Sequence, residues 1–295
     1  MMATAPTRVP VKKTYKLYIG GAFPRSEGGH YLVVKDHKGA FVANVCRATR
    51  KDFRGAMVAA RKAQAPWAAR SAFNRGQILY RMAEMLEGRA AVFERLLAEL
   101  HGYSASEAQA EVGAAVDRLV YYAGWCDKVT QVFGNTNPVA SQHFNFSFIE
   151  PTGVVAAVAP KTAPLLGLVS VMAPLISIGN AAIVMVTPDN AVVAIELAEA
   201  LATSDLPGGV VNLLTALWED VGSYVSGHMD LDAFFGVGLS SEEQKAIQVS
   251  AAESVKRTKF VDDASPAEWR QESRQSPYWI LPFTETKTAW HPMGS

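Results

Sequence analysis

Residues 154–186 read VVAAVAPKTAPLLGLVSVMAPLISIGNAAIVMV. Two short runs of small and β-branched apolar residues, Val154 to Ala159 and Ala181 to Val186, flank a helix-length stretch from Leu165 to Ile178. No residue from Thr162 to Pro188 is charged, and a run of that length could cross a bilayer. Pro174 and the Gly179-Asn180 pair interrupt it, however, and the part after the break is rich in Val and Ile. A strand, a helix and a strand buried in a parallel sheet give the same hydropathy, because both faces of such a sheet are covered.

The same alternation continues downstream. Helical patterns at Ala191–Ala202, Trp218–Gly227 and Ser240–Ala252 intervene between strand patterns at Gly209–Leu214, Leu231–Val237 and Ser254–Val261. Ser240, Glu242 and Glu243 suit the N-terminal dipole of the last helix. Short apolar strands alternating with helices predict an α/β fold with a doubly wound parallel sheet over 151–261.

Upstream, residues 1–150 read as a strand and helix layer. Lys16–Ile19 and Phe23 flank a tight Gly20-Gly21 turn, and Tyr31–Val34 and Phe41–Val45 flank a turn containing Gly39. Three amphipathic stretches follow, from Arg50, over Asn74–Gly88 and over Ser106–Phe133. Phe144, Phe146 and Phe148 then alternate with Asn145, Ser147 and Ile149, which is the period of a half-exposed strand with one aromatic face. Beyond Val261, residues 262–282 are polar and turn-rich and read as a linker. The tail, 283–295, alternates again, with Thr286, Thr288 and Trp290 on one side.

Composition narrows the function classes. Lys plus Arg and Asp plus Glu number 28 each, so bulk charge recruits neither nucleic acid nor an anionic membrane. Met1–Lys16 has no apolar core of a secretory signal, so the cytosol is the default expectation. Cys46 and Cys126 lack a CxxC or His neighbourhood, and the six His show no ligand spacing; neither a disulfide framework nor a metal site is predicted. No Ser-His-Asp set or carboxylate pair stands out as catalytic.

Four stretches resemble one family. Leu17-Tyr18-Ile19-Gly20-Gly21, Glu150-Pro151-Thr152-Gly153-Val154-Val155, Asp205-Leu206-Pro207-Gly208-Gly209-Val210-Val211-Asn212 and Glu285-Thr286-Lys287-Thr288 resemble, in order, marks of the aldehyde dehydrogenases. The resemblance implies an NAD(P)-dependent oxidoreductase fold whose cofactor cleft would be lined by Pro160, Lys161, Met185, Gly238 and Leu239. It also exposes departures. Lys161-Thr162 stands where the family has Trp-Asn, and Met185 where it has a ribose-binding Lys. The pyrophosphate turn is replaced by Gly238-Leu239-Ser240-Ser241-Glu242-Glu243, which puts carboxylates where a diphosphate would sit. The region after Lys259-Phe260 runs through Asp262-Asp263 to the tail, without the domain that holds the family's nucleophilic Cys and general-base Glu.

This layout resembles the truncated C-terminal half of family-16 aldehyde dehydrogenases. It implies a catalytic domain missing from this chain, a vestigial cleft without NAD(P), and an extended oligomerisation hairpin. Phe144, Phe146, Phe148, Thr286, Thr288 and Trp290 are its candidate interface, with a complete aldehyde dehydrogenase or a second copy as partner. Two further readings stay open: an NAD(P)-binding oxidoreductase component within a shared complex, and a homo-oligomeric pseudoenzyme with a new ligand in the cleft.

Overall fold

A computed structural model describes residues 11–294. Strands β1 (Thr14–Tyr15), β2 (Tyr31–Lys35) and β3 (Phe41–Cys46) form a small sheet of order β1-β3-β2. The segment from Lys16 to Phe23 forms isolated bridges rather than a full strand. Tyr18 exchanges backbone hydrogen bonds with Leu213, and Ile19 pairs with Ala22 across the two glycines.

Helices α1 (Arg50–Ala68), α2 (Ala72–Glu87), α3 (Ala90–His101), α4 (Ala105–Trp125) and α5 (Val129–Phe133) follow. The sequence reading missed α3, although Phe93, Leu96, Leu97 and Leu100 are buried at helical spacing and Gly102 ends it at φ +72°. The predicted helix over Ser106–Phe133 is two helices. The chain breaks at Cys126–Lys128, where the Lys128 amine turns back to the Gly124 carbonyl. Ser104 and Glu107 close the start of α4 by a capping box.

After β4 (Asn135–Asn137) and β5 (His143–Pro151) comes the predicted alternation. It comprises β6 (Val154–Val158), α6 (Leu166–Ser177), β7 (Ala181–Val186), α7 (Ala191–Leu201), β8 (Val211–Thr215), α8 (Trp218–Ser226), β9 (Ala233–Val237), α9 (Ser241–Ala252) and β10 (Arg257–Val261). The five strands form one parallel sheet, β10-β9-β6-β7-β8. The chain winds outward from β6 to β8, returns to the other side of β6, and winds outward again. Val155 and Ala157 face the core shared with α6 and α7, while Val154 and Ala156 face α1 and α8. Every residue of α6 is buried, so its hydropathy has no polar side. Each fully buried Val, Leu or Ile of this layer contributes roughly 1.5–3 kcal/mol relative to exposure. Among the described residues no helix is long and apolar enough to cross a membrane.

Two motifs have local structural causes. The amide of Asn180 accepts from Gly153 N–H (2.8 Å) and donates to the Phe283 carbonyl (2.9 Å), tying β6, β7 and the C-terminal segment together. Gly208 packs against the Gly20-Gly21 turn so closely that a Cβ on it would lie 2.5 Å from the Gly20 carbonyl oxygen.

The segment that reads as a polar linker is packed. After β10 it forms the short helix α10 (Pro266–Trp269) and single turns at Glu272–Arg274, Pro277–Trp279 and Leu281–Phe283. Trp269, Ile280 and Phe283 are fully buried in the main core, with Trp279 and Phe283 against Phe235 of β9. The final strand β11 (Thr284–Pro292) pairs antiparallel with β5 along its whole length, giving a three-stranded sheet of order β11-β5-β4.

Candidate functional site

The C-terminal ends of β6, β7, β8 and β9 open into a cleft of about 570 Å³, next to the point between β6 and β9 where the winding direction reverses. In doubly wound sheets ligands bind at this kind of position. Lys161, Met185, Gly238 and Leu239 line the cleft. Pro160 does not line it: the residue is buried, its ring fills the space above Gly167, and its carbonyl accepts from the Asn190 amide (3.1 Å).

Of the remaining lining, the sequence had pointed only to Glu243. Trp218, Val221 and Val186 supply apolar surface, and Asp189, Glu219 and Glu243 supply carboxylates. His101 reaches in from the end of α3. Its Nε2 is buried without a hydrogen-bond partner, and burial lowers its pKa below the ordinary histidine value. Asn190 is held by the carbonyls of Pro160 and Lys161 while its own Oδ1 has no partner. His101 belongs to the helix that the sequence reading missed, and Asn190 lies in a turn, so neither carried a pattern.

The N-terminus of α9 faces this cleft and is closed by its own residues. Ser240 Oγ accepts from Glu243 N–H (3.2 Å), and the Glu243 carboxylate accepts from Ser240 N–H (2.7 Å). Gly238 N–H donates to the Val261 carbonyl (3.0 Å). The N-cap and third-residue N–H groups of this helix start are thus satisfied within the chain.

Beside the cleft, the loop after β6 meets the start of the C-terminal segment. The Asp263 carboxylate accepts from the backbone N–H groups of Lys161 (2.8 Å), Thr162 (3.2 Å) and Ala264 (2.8 Å). It also accepts from the Thr162 hydroxyl (2.6 Å) and the Trp269 indole (3.1 Å). Asp263 is partly buried; burial raises its pKa, but these hydrogen bonds outweigh it and hold the carboxyl below the usual aspartate range.

The rest of that segment is anchored to α4 and α6 by a buried cation. Arg118, 2% exposed, donates to the carbonyls of Arg274 (2.8 Å) and Trp269 (2.9 Å), to Gln275 Oε1 (3.1 Å) and to Ser170 Oγ (2.5 Å). Tyr122, one turn further along α4, donates to the Ser276 carbonyl (3.2 Å). Glu111, one turn before Ala115 on the same buried stripe, accepts from the N–H groups of Leu165 and Leu166 at the start of α6. Burial raises its pKa, against those hydrogen bonds. Charged residues inside the apolar stripe of α4 are a sequence signal for such anchors, since an unpaired charge is rarely buried.

The candidate interface residues divide between two faces. Phe144, Phe146 and Phe148 stack along one face of β5, with ring centroids 5.4 and 5.9 Å apart. Register places Trp290 opposite Asn145, Thr288 opposite Ser147 and Thr286 opposite Ile149, which is the other face. Trp290 therefore does not extend the phenylalanine stack; it packs on His143 (5.8 Å). Both cysteines are buried and free, and burial pushes the Cys126 thiol up to about 12, far from a reactive thiolate. Among the described residues no cluster of three or more His, Cys, Asp or Glu is arranged to hold a metal ion.

Comparison with known proteins accounts for this architecture. A model described as "Aldehyde dehydrogenase family" matches residues 23–260, ending within β10. The chain is 30% identical over 261 residues to the putative aldehyde dehydrogenase DhaS of Bacillus subtilis, covering 87% of this chain and 52% of that protein. It is 28% identical over 256 residues to an aldehyde dehydrogenase of Aspergillus niger, covering 86% and 51%. An aldehyde dehydrogenase of Bacillus cereus, solved in complex with NAD+, superposes with a TM-score of 0.79 at 26% identity, over 85% of this chain and 51% of that one. The chain spans about half the length of the curated relatives it matches, and by these matches it belongs to the aldehyde dehydrogenase family.

Proposed function

We propose that this chain is a non-catalytic aldehyde-dehydrogenase-like subunit, cytosolic, that pairs with a complete aldehyde dehydrogenase and stabilises or regulates it. One observation carries the reading. The residues between β10 and β11, 262–283, are locked onto α4 and α6 by Trp269, Arg118 and Tyr122, and they lead directly into the arm strand. That junction holds no separate domain with a nucleophilic Cys and a general base. The two cysteines lie elsewhere and are buried.

The cleft supports the same reading. Its lining does not suit a pyrophosphate: the α9 N-terminus is self-capped, and Glu243, Glu219 and Asp189 would repel the diphosphate. Met185 offers no hydrogen bond to a ribose. The arm supplies the means of pairing. In the sheet β11-β5-β4, the outer side of β11 is a nine-residue strand edge, and such an edge is a template for strand addition. Phe144 (45% exposed) and Trp290 (58%) stand on its two faces. The open cleft favours a second reading, an NAD(P)-binding oxidoreductase component of a shared complex.

The test is made on the chain alone. Titration with NAD+ and with NADP+, followed by the fluorescence of Trp218 at the cleft, is expected to give no saturable change. Incubation with a panel of aliphatic and aromatic aldehydes is expected to produce no NAD(P)H. Saturable cofactor binding without turnover would move the chain to the second reading, and turnover by the isolated chain would overturn both.

A further inference from the structure

We infer that the loop after β6, together with the Trp269 indole, is a binding site for a small planar carboxylate, which this chain fills from within by the side chain of Asp263. Four donors of the site belong to groups other than the immediate neighbour of Asp263: the N–H groups of Lys161 and Thr162, the Thr162 hydroxyl and the Trp269 indole N–H. They serve both oxygens, Lys161 and Thr162 N–H on Oδ2, the hydroxyl and the indole on Oδ1. All four are uncharged, so the cradle recognises an anion by directed dipoles and selects the two-oxygen geometry of a carboxylate rather than net charge.

The backbone part of the cradle is held by groups other than its occupant, while the Thr162 hydroxyl also lies against the Ala264 carbonyl. Asn190, itself buried, fixes the Pro160 and Lys161 carbonyls from the opposite side of the loop (3.1 Å each). Ala163, next in the loop, holds a positive φ of 46°, an unusual conformation for a residue with a Cβ. Trp269 is fully buried and its ring is fixed edge-on against Trp279. The site adjoins the cleft through Lys161 and Gly238; a Cβ on Gly238 would lie 3.0 Å from the Asp263 Cβ. Asp263 thus fastens the start of residues 262–283 to the loop after β6 through a carboxylate site at the mouth of the cleft, and a solute carboxylate takes its place only when that side chain is removed. The inference does not depend on the partner-subunit reading.

The experiment uses Asp263→Ala in the full chain, with formate as the probe. The variant is expected to unfold at a lower temperature than the parent, and formate is expected to restore its midpoint saturably. Chloride at equal ionic strength should not, and the parent chain should not respond to either. Adding Thr162→Val to Asp263→Ala should remove the formate response. Equal responses to formate and chloride in Asp263→Ala would overturn the inference. If Asp263→Ala does not fold, carboxyl-carbon NMR of the parent chain decides. Titration of Asp263 below the ordinary aspartate range, shifting upward in Thr162→Val, supports the cradle; an ordinary titration, unchanged in Thr162→Val, overturns it.

Discussion

β5 and β6 follow one another in the chain with only Thr152 and Gly153 between them, yet they belong to opposite kinds of sheet. β6 lies at the centre of the parallel sheet, with both faces covered, and its sequence is small and apolar throughout. β5 lies at the centre of the arm, where Asn145 and Ile149 are buried while Phe144 is 45% exposed. Packing within the chain explains every side chain of β6. It does not explain three phenylalanines in a row on a half-open face. The difference teaches that the parallel sheet is covered on both faces, whereas the arm carries half-exposed apolar surface and a long strand edge that none of the described residues pairs.

The comparison breaks most sharply at the segment that joins the two sheets. Trp269→Ala removes a fully buried indole and the N–H that reaches Asp263. It is expected to cost about 3–5 kcal/mol in denaturant unfolding. A loss below about 1 kcal/mol would mean that residues 262–283 are a loose tether after all. Asn180→Ala cuts the amide that joins the β6 start to Phe283, just before β11. Leaving those buried groups unpaired is expected to cost about 1–3 kcal/mol, and amide exchange in β11 should rise more than in β7.

Smaller effects come from titration. The carboxyl of Glu111 is raised in the folded state by burial from its ordinary 4.5. Its contribution is therefore complete below that value and is lost as pH rises through the folded pKa. Glu111→Gln keeps an oxygen for Leu165 and Leu166 N–H and should flatten this loss in a stability profile from acid to neutral pH. Asp263 has the opposite sign: its carboxyl is depressed, so its contribution is lost as pH falls through the folded pKa. The smallest effect is expected at the arm. Trp290→Asp should change the unfolding free energy of the isolated chain by less than about 1 kcal/mol, because the ring is already 58% exposed.

The sheet was legible because burial on both faces leaves short apolar runs such as Val154–Val158 and Ala181–Val186, and their alternation with helix-length stretches points to a parallel α/β layer. The arm strands were legible through alternation, but not the side on which Trp290 stands, since register depends on pairing across more than a hundred residues. Residues 262–282 were read as a linker because their anchors are single residues, Trp269 and Ile280, among polar ones. At the cleft, Lys161, Met185, Gly238 and Leu239 were named through resemblance, whereas His101 and Asn190, and Asp263 beside the cleft, are placed by contacts distant in sequence that no local pattern encodes.

The measurement that bears most directly on the proposed pairing through the β11 edge is co-expression of this chain with a complete aldehyde dehydrogenase from the same cell. Size-exclusion chromatography with light scattering then gives the mass of each species. The account predicts a single peak containing both chains, and release of this chain by Phe146→Asp or Trp290→Asp without its unfolding. Elution of this chain alone as a homo-oligomer, with the enzyme's mass and activity unchanged, would contradict it.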